Sequence, residues 1–288
     1  MKKGFLLCSA VLLLFTALVS AAESRPLPPT HARAYILMDA RTGRILAAHN
    51  AYAPYPIASL TKLMTLYLLF EAVQQGRLHL DQRVMPSYAA VHTAGSCAFL
   101  QAGVPVTVRQ LILGMTVDSG NDAAVQAAIL VGGSVPAFVR LMNKTARDLG
   151  MKATVYGNPH GLPMPGTHSS AYDLALLSRA IIRRFPHYLS FFGAKYFVYN
   201  RVRQRNSNLL LWKDSRVDGL KTGYTNAAGH CLVATAMKGK ERLIAVVLGV
   251  PSFRIESHGF HTVARSAENL LIWGYAHGPR GRMLAQDP

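Results

Sequence analysis

The spacing of apolar and polar residues in this 288-residue chain changes from strand-like to helix-like near its beginning. Residues 34–40 and 45–49 are short, mainly apolar runs on either side of Arg41-Thr42-Gly43-Arg44, which predicts a β-hairpin. From residue 57 to about residue 75 the apolar positions recur every three or four residues, which predicts a helix. Because its other side is apolar as well, we expect this helix to be buried nearly all round, in the middle of a domain.

Helical spacing dominates the middle of the chain, and strand-like runs return near its end. The predicted helices cover residues 108–115, 123–131, 134–149, 170–185 and 262–275, and the later strands cover residues 195–199, 231–237 and 242–250. Residues 77–106, with Pro86 and Gly95, are predicted to form a long irregular rim. This order predicts an α/β (α+β) fold, in which a largely antiparallel sheet is flanked by helices and accompanied by an all-helical subdomain.

The two ends of the chain differ in composition from its middle. Two lysines, an apolar run at residues 5–19 and the small residues Ser20-Ala21-Ala22 are typical of a signal peptide that is cut after Ala22. We expect residues 23–33 to form an extension, residues 34–276 the one folded domain, and residues 277–288 a flexible tail. The predicted protein is exported, periplasmic or extracytoplasmic, and the sequence gives no sign of a C-terminal membrane anchor.

The chain is strongly basic, with a formal net charge of +17 and a pI near 10.2. For an exported protein this charge favours peripheral contact with anionic envelope surfaces, whereas export and the lack of a binding motif argue against nucleic acid. Two cysteines, Cys97 and Cys231, remain after removal of the signal peptide. The sequence leaves open whether they form a disulfide or stay free.

Lys62 is the only Asp, Glu, Lys or Arg between residues 45 and 70, and it follows Ser59 by three positions. On a helix the two side chains would project from the same side. One interpretation makes Ser59 a helix N-cap and Lys62 a solvated charge, although N-caps prefer Glu or Gln three residues later. The other makes Lys62 a partly desolvated base, with a pKa below the free value of about 10.4, that takes the proton of the Ser59 hydroxyl.

Two further motifs change the weight of these interpretations. Residues 118–122 (D-S-G-N-D) and 221–225 (K-T-G-Y-T) would alone be taken as a turn with an N-cap and as an exposed strand end. Together the chain carries S-x-x-K at a helix start, S-x-N before another helix, and K-T-G beside the terminal strands, in the order found in penicillin-recognising serine enzymes. Acyl transfer needs the nucleophile, base, proton relay and carboxylate-binding donors that these motifs contain.

With these motifs, residues 34–275 resemble the low-molecular-mass penicillin-binding proteins, the D-alanyl-D-alanine carboxypeptidases of the serine peptidase S11 type. The resemblance extends to Asp39-x-x-Thr42-Gly43, to His160-Gly161-Leu162, and to the pattern of residues 200–212. It implies the penicillin-binding-protein/β-lactamase-like transpeptidase fold.

The resemblance also implies a role for each motif. Ser59 would attack the carbonyl between two D-alanines of a peptidoglycan stem peptide, with Lys62 as the base, and β-lactams would acylate Ser59 as covalent inhibitors. The backbone amides of Ser59 and Tyr224 would form the oxyanion hole. The predicted catalytic residues are Ser59, Lys62, Ser119 and Asn121. The predicted substrate-binding residues are Lys221, Thr222, Gly223, Tyr224, Arg265, Arg203 and His160.

Three departures from the family pattern bear on the substrate. Residue 224 is Tyr, whereas the best-known carboxypeptidases often have His there. The arginine that helps to bind the terminal carboxylate falls near a local insertion, so Arg254 and Arg265 compete for that role and we favour Arg265. Gly120 within the S-x-N motif matches carboxypeptidases, whereas the short D,D-endopeptidases of the family have Glu.

Three alternative functions share this chemistry or this fold. A peptidoglycan D,D-endopeptidase would cut crosslinks with the same residues. A class A β-lactamase would need an additional deacylating Glu, and none of the five Glu residues lies in an E-x-x-x-N context. A non-catalytic wall-binding protein would be expected to have lost motif residues, and all of them are present.

Two groups of residues outside the motifs remain. His258 and His261 lack a third ligand, so we expect no metal, and no cofactor is implied. Arg201, Arg203 and Arg205 would place three positive charges on one face of a strand. They would either attract anionic glycan or form a solvated edge.

Overall fold

The computed structural model describes residues 29–251 and 256–278 of the chain. The predicted signal peptide, its cleavage after Ala22 and nearly all of the predicted tail lie outside these residues, as do Arg254 and the side chain of His258. The domain boundaries stay predictions.

The secondary structure follows the predicted order of hairpin, helices, strands and helix. The strands are β1 (Ala34–Asp39), β2 (Ile45–His49), β3 (Arg83–Val84), β4 (Val106–Thr107), β5 (Tyr196–Tyr199), β6 (Val202–Arg205), β7 (Val217–Thr225), β8 (Gly229–Lys238) and β9 (Glu241–Val250). The α-helices are α1 (Lys62–Gln74), α2 (Tyr88–Val91), α3 (Val108–Val117), α4 (Asn121–Gly132), α5 (Val135–Asp148), α6 (Ala171–Arg184), α7 (Leu189–Phe192), α8 (Leu210–Lys213) and α9 (Glu256–His277). Two 3₁₀ turns, Ala58–Thr61 and Pro186–Tyr188, precede α1 and α7.

Five strands form one antiparallel sheet in the order β2-β1-β9-β8-β7. The first strand pairs with the last, with Ala34 opposite Leu248. Alternate residues of β1 point to opposite faces: Ile36 belongs to the core that contains α1, and Leu37 to the core that contains α9. Because helices cover both faces, β1 and most of β8 and β9 are buried on both sides, whereas the edge strand β2 is largely exposed.

The α1 helix runs through the middle of the larger core, and every residue from Lys62 to Phe70 is buried. It contacts α3, α4, α5 and α6. The prediction of a helix buried nearly all round is confirmed. Within the described residues no single helix has the length and apolar content needed to cross a membrane, although α4 and α5, bent by 83°, meet that criterion as a pair.

Four features differ from the sequence predictions. The α9 helix begins at Glu256 rather than near residue 262. Residues 77–106 were predicted to be irregular, but they contain α2, β3 and the start of β4, which pairs with β3. Pairing across a long loop leaves no local sequence pattern, so these strands were not predicted. The strands β6 and β7 and the short helices α7 and α8 were not among the predicted elements. Lys221 lies inside β7 and is 1% exposed, so the interpretation of this segment as an exposed strand end is wrong.

The two cysteines are free thiols. Cys97 is partly exposed in the rim that follows α2, and Cys231 is buried on β8. The alternative in which they form a disulfide is therefore not realised in this structure.

Candidate active site

Ser59 lies in the 3₁₀ turn Ala58–Thr61, directly before α1. Ile57 is the N-cap of this turn and Thr61 that of α1, and neither makes a side-chain cap hydrogen bond. The interpretation of Ser59 as a helix N-cap is therefore wrong. Its hydroxyl instead accepts a hydrogen bond from Lys62 Nζ at 3.0 Å.

Lys62 is fully buried, and its Nζ atom is surrounded by three oxygen atoms. They are Ser59 Oγ at 3.0 Å, Asn121 Oδ1 at 2.7 Å and the backbone carbonyl oxygen of His160 at 2.8 Å. The amide and carbonyl oxygens can only accept, so they take two N–H bonds of the amine. In a neutral lysine the lone pair then points to the Ser59 hydroxyl, which is the geometry that proton removal requires.

The surroundings of Lys62 favour its neutral form. Burial lowers the pKa of Lys62 well below its ordinary value of 10.5, and the nearby positive charge of Lys221 lowers it further, while Asp122 acts in the opposite direction. Burial also lowers the pKa of Lys221 to about 7, with Asp118 opposing the shift. A lysine with a lowered pKa is a competent general base near neutral pH.

Asn121 links Lys62 to the rim of the cleft. Its Oδ1 atom accepts from Lys62, and its Nδ2 atom donates to the carbonyl oxygen of Ala94 at 2.7 Å. Its backbone N–H donates to the carbonyl oxygen of Ser96, also at 2.7 Å. Because both ends of the side-chain amide are bound, the oxygen is held toward the lysine.

Asp122 holds the next part of the same rim, and the sequence analysis missed it. Its carboxylate is 2% exposed and accepts from the backbone N–H groups of Ala98 at 2.7 Å, Leu100 at 3.0 Å and Ala123 at 2.8 Å. Its placement in the first turn of an apolar helix, next to an S-x-N motif, was the available signal. Asp122 is thus a positioning residue for the loop that contacts Asn121.

The other two motifs line the same cleft. Ser119 is partly exposed, precedes α4 with a φ of 64°, and is not among the hydrogen-bond partners of Lys62. Lys221 Nζ donates to the carbonyl oxygen of Thr222 at 2.9 Å. Asp118 is beside Lys221, and burial raises the pKa of its carboxyl group to about 6, an effect that the lysine opposes.

Two glycines allow neighbouring backbone segments to approach Ser59. A Cβ atom at Gly223 would lie 3.0 Å from the Ser59 backbone nitrogen, which is tighter than ordinary van der Waals contact, so the glycine lets β7 run close beside the 3₁₀ turn. Gly161 has a φ of 93°, and a Cβ atom there would overlap the carbonyl oxygen of Ala58. This close approach also places the neighbouring carbonyl of His160 against Lys62.

A pocket of about 340 Å³ opens beside the 3₁₀ turn. Its walls are Ile57, Ala58 and Thr61 on one side, the loop of residues 161–167 on another, and Thr225 at the end of β7. The buried hydroxyl of Thr61 has no hydrogen-bond partner within the described residues. The volume suits part of a peptide substrate.

His160 and Tyr224 lie at this cleft in ways that the sequence analysis did not predict. His160 contacts Lys62 through its carbonyl group, while its ring Nδ1 accepts from the backbone N–H of Leu162 at 3.2 Å. Burial and the charge of Lys62 lower the pKa of His160 to about 4, so the ring is neutral. The Tyr224 ring stacks on His230, with centroids 4.4 Å apart.

Arg203 and Arg265 are not joined to this cluster by any contact among the described residues. Arg203 is exposed on β6, with its guanidinium 3.8 Å from the centroid of the Tyr196 ring. Arg265 is exposed on α9, which packs on the sheet face opposite to the one facing α1. The structure does not bring either arginine to Ser59, and their substrate-binding roles stay predictions.

Comparisons with known proteins agree on one family. Residues 20–252 match the peptidase S11 family model, described as D-alanyl-D-alanine carboxypeptidase. The D-alanyl-D-alanine carboxypeptidase DacD of Escherichia coli is 41% identical over 285 residues, which are 95% of this chain and 72% of that protein. Penicillin-binding protein 5 from Haemophilus influenzae has a TM-score of 0.82 at 39% identity, over 87% of this chain and 72% of that one. Penicillin-binding protein D2 from Listeria monocytogenes, in its cefotaxime-bound form, has a TM-score of 0.78 at 30% identity, over 87% of this chain and 100% of that one.

Proposed function

The chain belongs to the peptidase S11 family of D-alanyl-D-alanine carboxypeptidases, and we propose that it removes the terminal D-alanine from peptidoglycan stem peptides through an acyl-enzyme on Ser59. The predicted family, fold and enzyme class are confirmed by the comparisons above. The observation that supports the proposed mechanism is the position of Lys62 Nζ, which faces Ser59 Oγ and two oxygen atoms that can only accept.

Acylation begins when Ser59 Oγ attacks the carbonyl carbon of the penultimate D-alanine. As the new C–O bond forms, the Ser59 proton moves to the lone pair of Lys62 Nζ, and the substrate carbonyl becomes an oxyanion. The backbone amides of Ser59 and Tyr224 donate to this oxyanion. When the C–N bond breaks, the proton passes from Lys62 to the departing amine, with the Ser119 hydroxyl as the relay.

The remaining motif residues orient the substrate. Lys221 and Thr222 bind the terminal carboxylate, for which one cation and one hydroxyl are suitable donors. Asn121 holds Lys62 in place, because its amide oxygen is already occupied by Nζ. In the second half-reaction water attacks the ester, Lys62 takes a proton from that water, and Ser59 leaves with one proton restored.

β-Lactams enter the same pathway as covalent inhibitors. Attack by Ser59 opens the lactam C–N bond, but the released amine stays tethered to the acyl group and does not diffuse away. The tethered group then hinders the water that would hydrolyse the ester, so the adduct is long-lived. The proposed site of action is periplasmic or extracytoplasmic, which fits the predicted signal peptide and the formal charge of +17.

One experiment tests the proposal directly. Purified protein is incubated with fluorescent penicillin and, separately, with a soluble stem pentapeptide whose D-alanine release is measured. We expect a covalent adduct and D-alanine release in the wild type, and neither in Ser59→Ala. No adduct in a folded wild-type protein would overturn the proposal. Crosslink cleavage without D-alanine release would identify an endopeptidase, and rapid penicillin turnover would identify a β-lactamase.

A further inference from the structure

A group of cations near the cleft has no acidic partner. Residues 195–213 contain five Lys or Arg residues and no Asp or Glu. The five are Lys195, Arg201, Arg203, Arg205 and Lys213, and all are exposed. None of them forms an ion pair with another described residue. Their positive charge is therefore available to an external anion.

Three of these cations are held against two aromatic rings. The Arg203 guanidinium lies 3.8 Å from the centroid of Tyr196, and the Arg205 guanidinium lies 4.4 Å from that of Trp212. Lys195 Nζ lies 5.2 Å from the Trp212 centroid, and the two rings meet edge to face at 5.2 Å. We call Lys195, Tyr196, Arg203, Arg205 and Trp212 the hairpin platform. Stacked guanidinium groups lose less freedom when they bind an anion than free ones do.

The platform combines the outer face of the hairpin formed by β5 and β6 with Lys195, directly before β5, and Trp212 of α8. The inner face of the hairpin is tied to the cleft. Gln204, between the two platform arginines, is buried and donates to the carbonyl oxygen of Ala98 at 3.4 Å. A little further along the chain, the Ser207 hydroxyl hydrogen-bonds to the Thr222 hydroxyl at 2.5 Å. The segment that carries the cations is therefore tied both to the rim of the cleft and to Thr222, which is assigned to the substrate carboxylate.

We propose that the hairpin platform is a second binding site for peptidoglycan, where it holds carboxylates of the polymer while one stem peptide occupies the cleft. The inference rests on the proposed function, since it takes the polymer as the substrate. Neighbouring stem peptides carry free carboxylates, and a planar guanidinium can bind a carboxylate through two N–H bonds. A single soluble peptide in the cleft would not need this second contact.

The covered rings favour a polymer over a membrane surface. Aromatic side chains that anchor a protein in a lipid headgroup layer insert their apolar surface into it. Here Tyr196 and Trp212 have cations stacked over their faces. The arrangement instead presents fixed positive groups outward, which suits carboxylates spaced along a chain.

The test separates binding from catalysis. The Ser59→Ala protein, which cannot cleave, is sedimented with insoluble purified peptidoglycan, with and without the added double substitution Lys195→Gln/Arg205→Gln. We expect the double substitution to weaken binding about five- to tenfold at low salt, and the difference to shrink as salt rises. The matched control is Arg140→Gln/Arg147→Gln, which removes the same charge from exposed positions on α5 and should change binding less than about twofold.

Two further measurements test whether weaker peptidoglycan binding comes from misfolding or from lost contact with lipid. In proteins that keep Ser59, acylation by fluorescent penicillin at the wild-type rate reports that the platform variant is folded. Vesicles with anionic phospholipid replace peptidoglycan in a parallel binding experiment. An equal loss in both double variants, unchanged peptidoglycan binding, or a loss confined to vesicles would each overturn the proposal. If the wild type were not acylated at Ser59, the proposed function would be overturned instead. The peptidoglycan-binding experiment uses Ser59→Ala, so its result does not depend on acylation and would still test the platform.

Discussion

Lys62 and Arg205 are both basic side chains, but they occupy opposite surroundings. Lys62 is fully buried, has no carboxylate among its hydrogen-bond partners, and has a strongly lowered pKa. Arg205 is exposed, and its guanidinium is stacked on the Trp212 ring. Burial favours the neutral form of Lys62, as the proposed base requires, whereas stacking at the surface leaves Arg205 available to an anion. Both side chains are basic, so it is their difference in exposure to solvent that separates the proposed chemistry of the cleft from the proposed binding at the platform.

The largest effect expected from this comparison is that of Lys62→Ala. Without the base, Ser59 keeps its proton, so acylation by fluorescent penicillin should fall by about 10²- to 10⁴-fold while the thermal unfolding transition remains cooperative. The matched control is Lys152→Ala, at an exposed lysine after α5, which should acylate at the wild-type rate. Acylation by Lys62→Ala within about tenfold of wild type would assign the base to another group.

A smaller effect is expected from Asp122→Asn, which tests a buried carboxylate in place of a buried cation. The new amide nitrogen would face backbone N–H groups that now donate to the carboxylate, so the rim should loosen. We expect the free energy of unfolding to fall by about 1–3 kcal/mol and acylation to slow by about ten- to a hundredfold. The exposed carboxylate of Asp148, changed to Asn, is the control and should alter neither quantity measurably. Equal effects of the two substitutions would contradict a positioning role for Asp122.

The smallest effect near neutral pH is expected in the pH profile of kcat/KM for a stem pentapeptide. Lys62 must be neutral, so the rate rises with pH through the lowered pKa of Lys62. Lys221 must be protonated to bind the carboxylate, so the rate falls above its pKa of about 7. Above this pKa, kcat/KM should fall by up to about tenfold per pH unit. In Lys221→Arg this fall should begin at a higher pH, whatever the absolute rate of the variant. An unmoved alkaline limb in that variant would assign it to a different group.

Much of the fold could be predicted because local spacing defines it. The β1–β2 hairpin and the buried α1 helix each consist of contiguous residues, so their period is visible in the sequence. Motif chemistry predicted that Ser59, Lys62 and Asn121 act together, and the structure brings these three side chains into direct contact.

What could not be predicted depends on contacts between distant segments. Lys62 donates to the backbone carbonyl of His160, and the Asp122 carboxylate accepts from backbone N–H groups of Ala98 and Leu100, so the partners in these contacts are backbone groups that no motif identifies. The β3–β4 pair joins residues on both sides of a long loop, so it leaves no periodic signal. Arg265 was favoured over Arg254 at a point where the chain departs from the family pattern by a local insertion, and the exposed position of Arg265 on α9 does not place it at the cleft.

The pairing of the first strand with the last has a consequence for when the enzyme becomes active. The sheet closes only after β9 arrives, since β1 lies between β2 and β9. Ser59 leaves the ribosome early, whereas Lys221 and Gly223 are added late on β7. A chain made only as far as α1 therefore carries Ser59 without β7, which borders the other side of the cleft. The cleft is complete only in a chain that has been made as far as Val250, the end of β9.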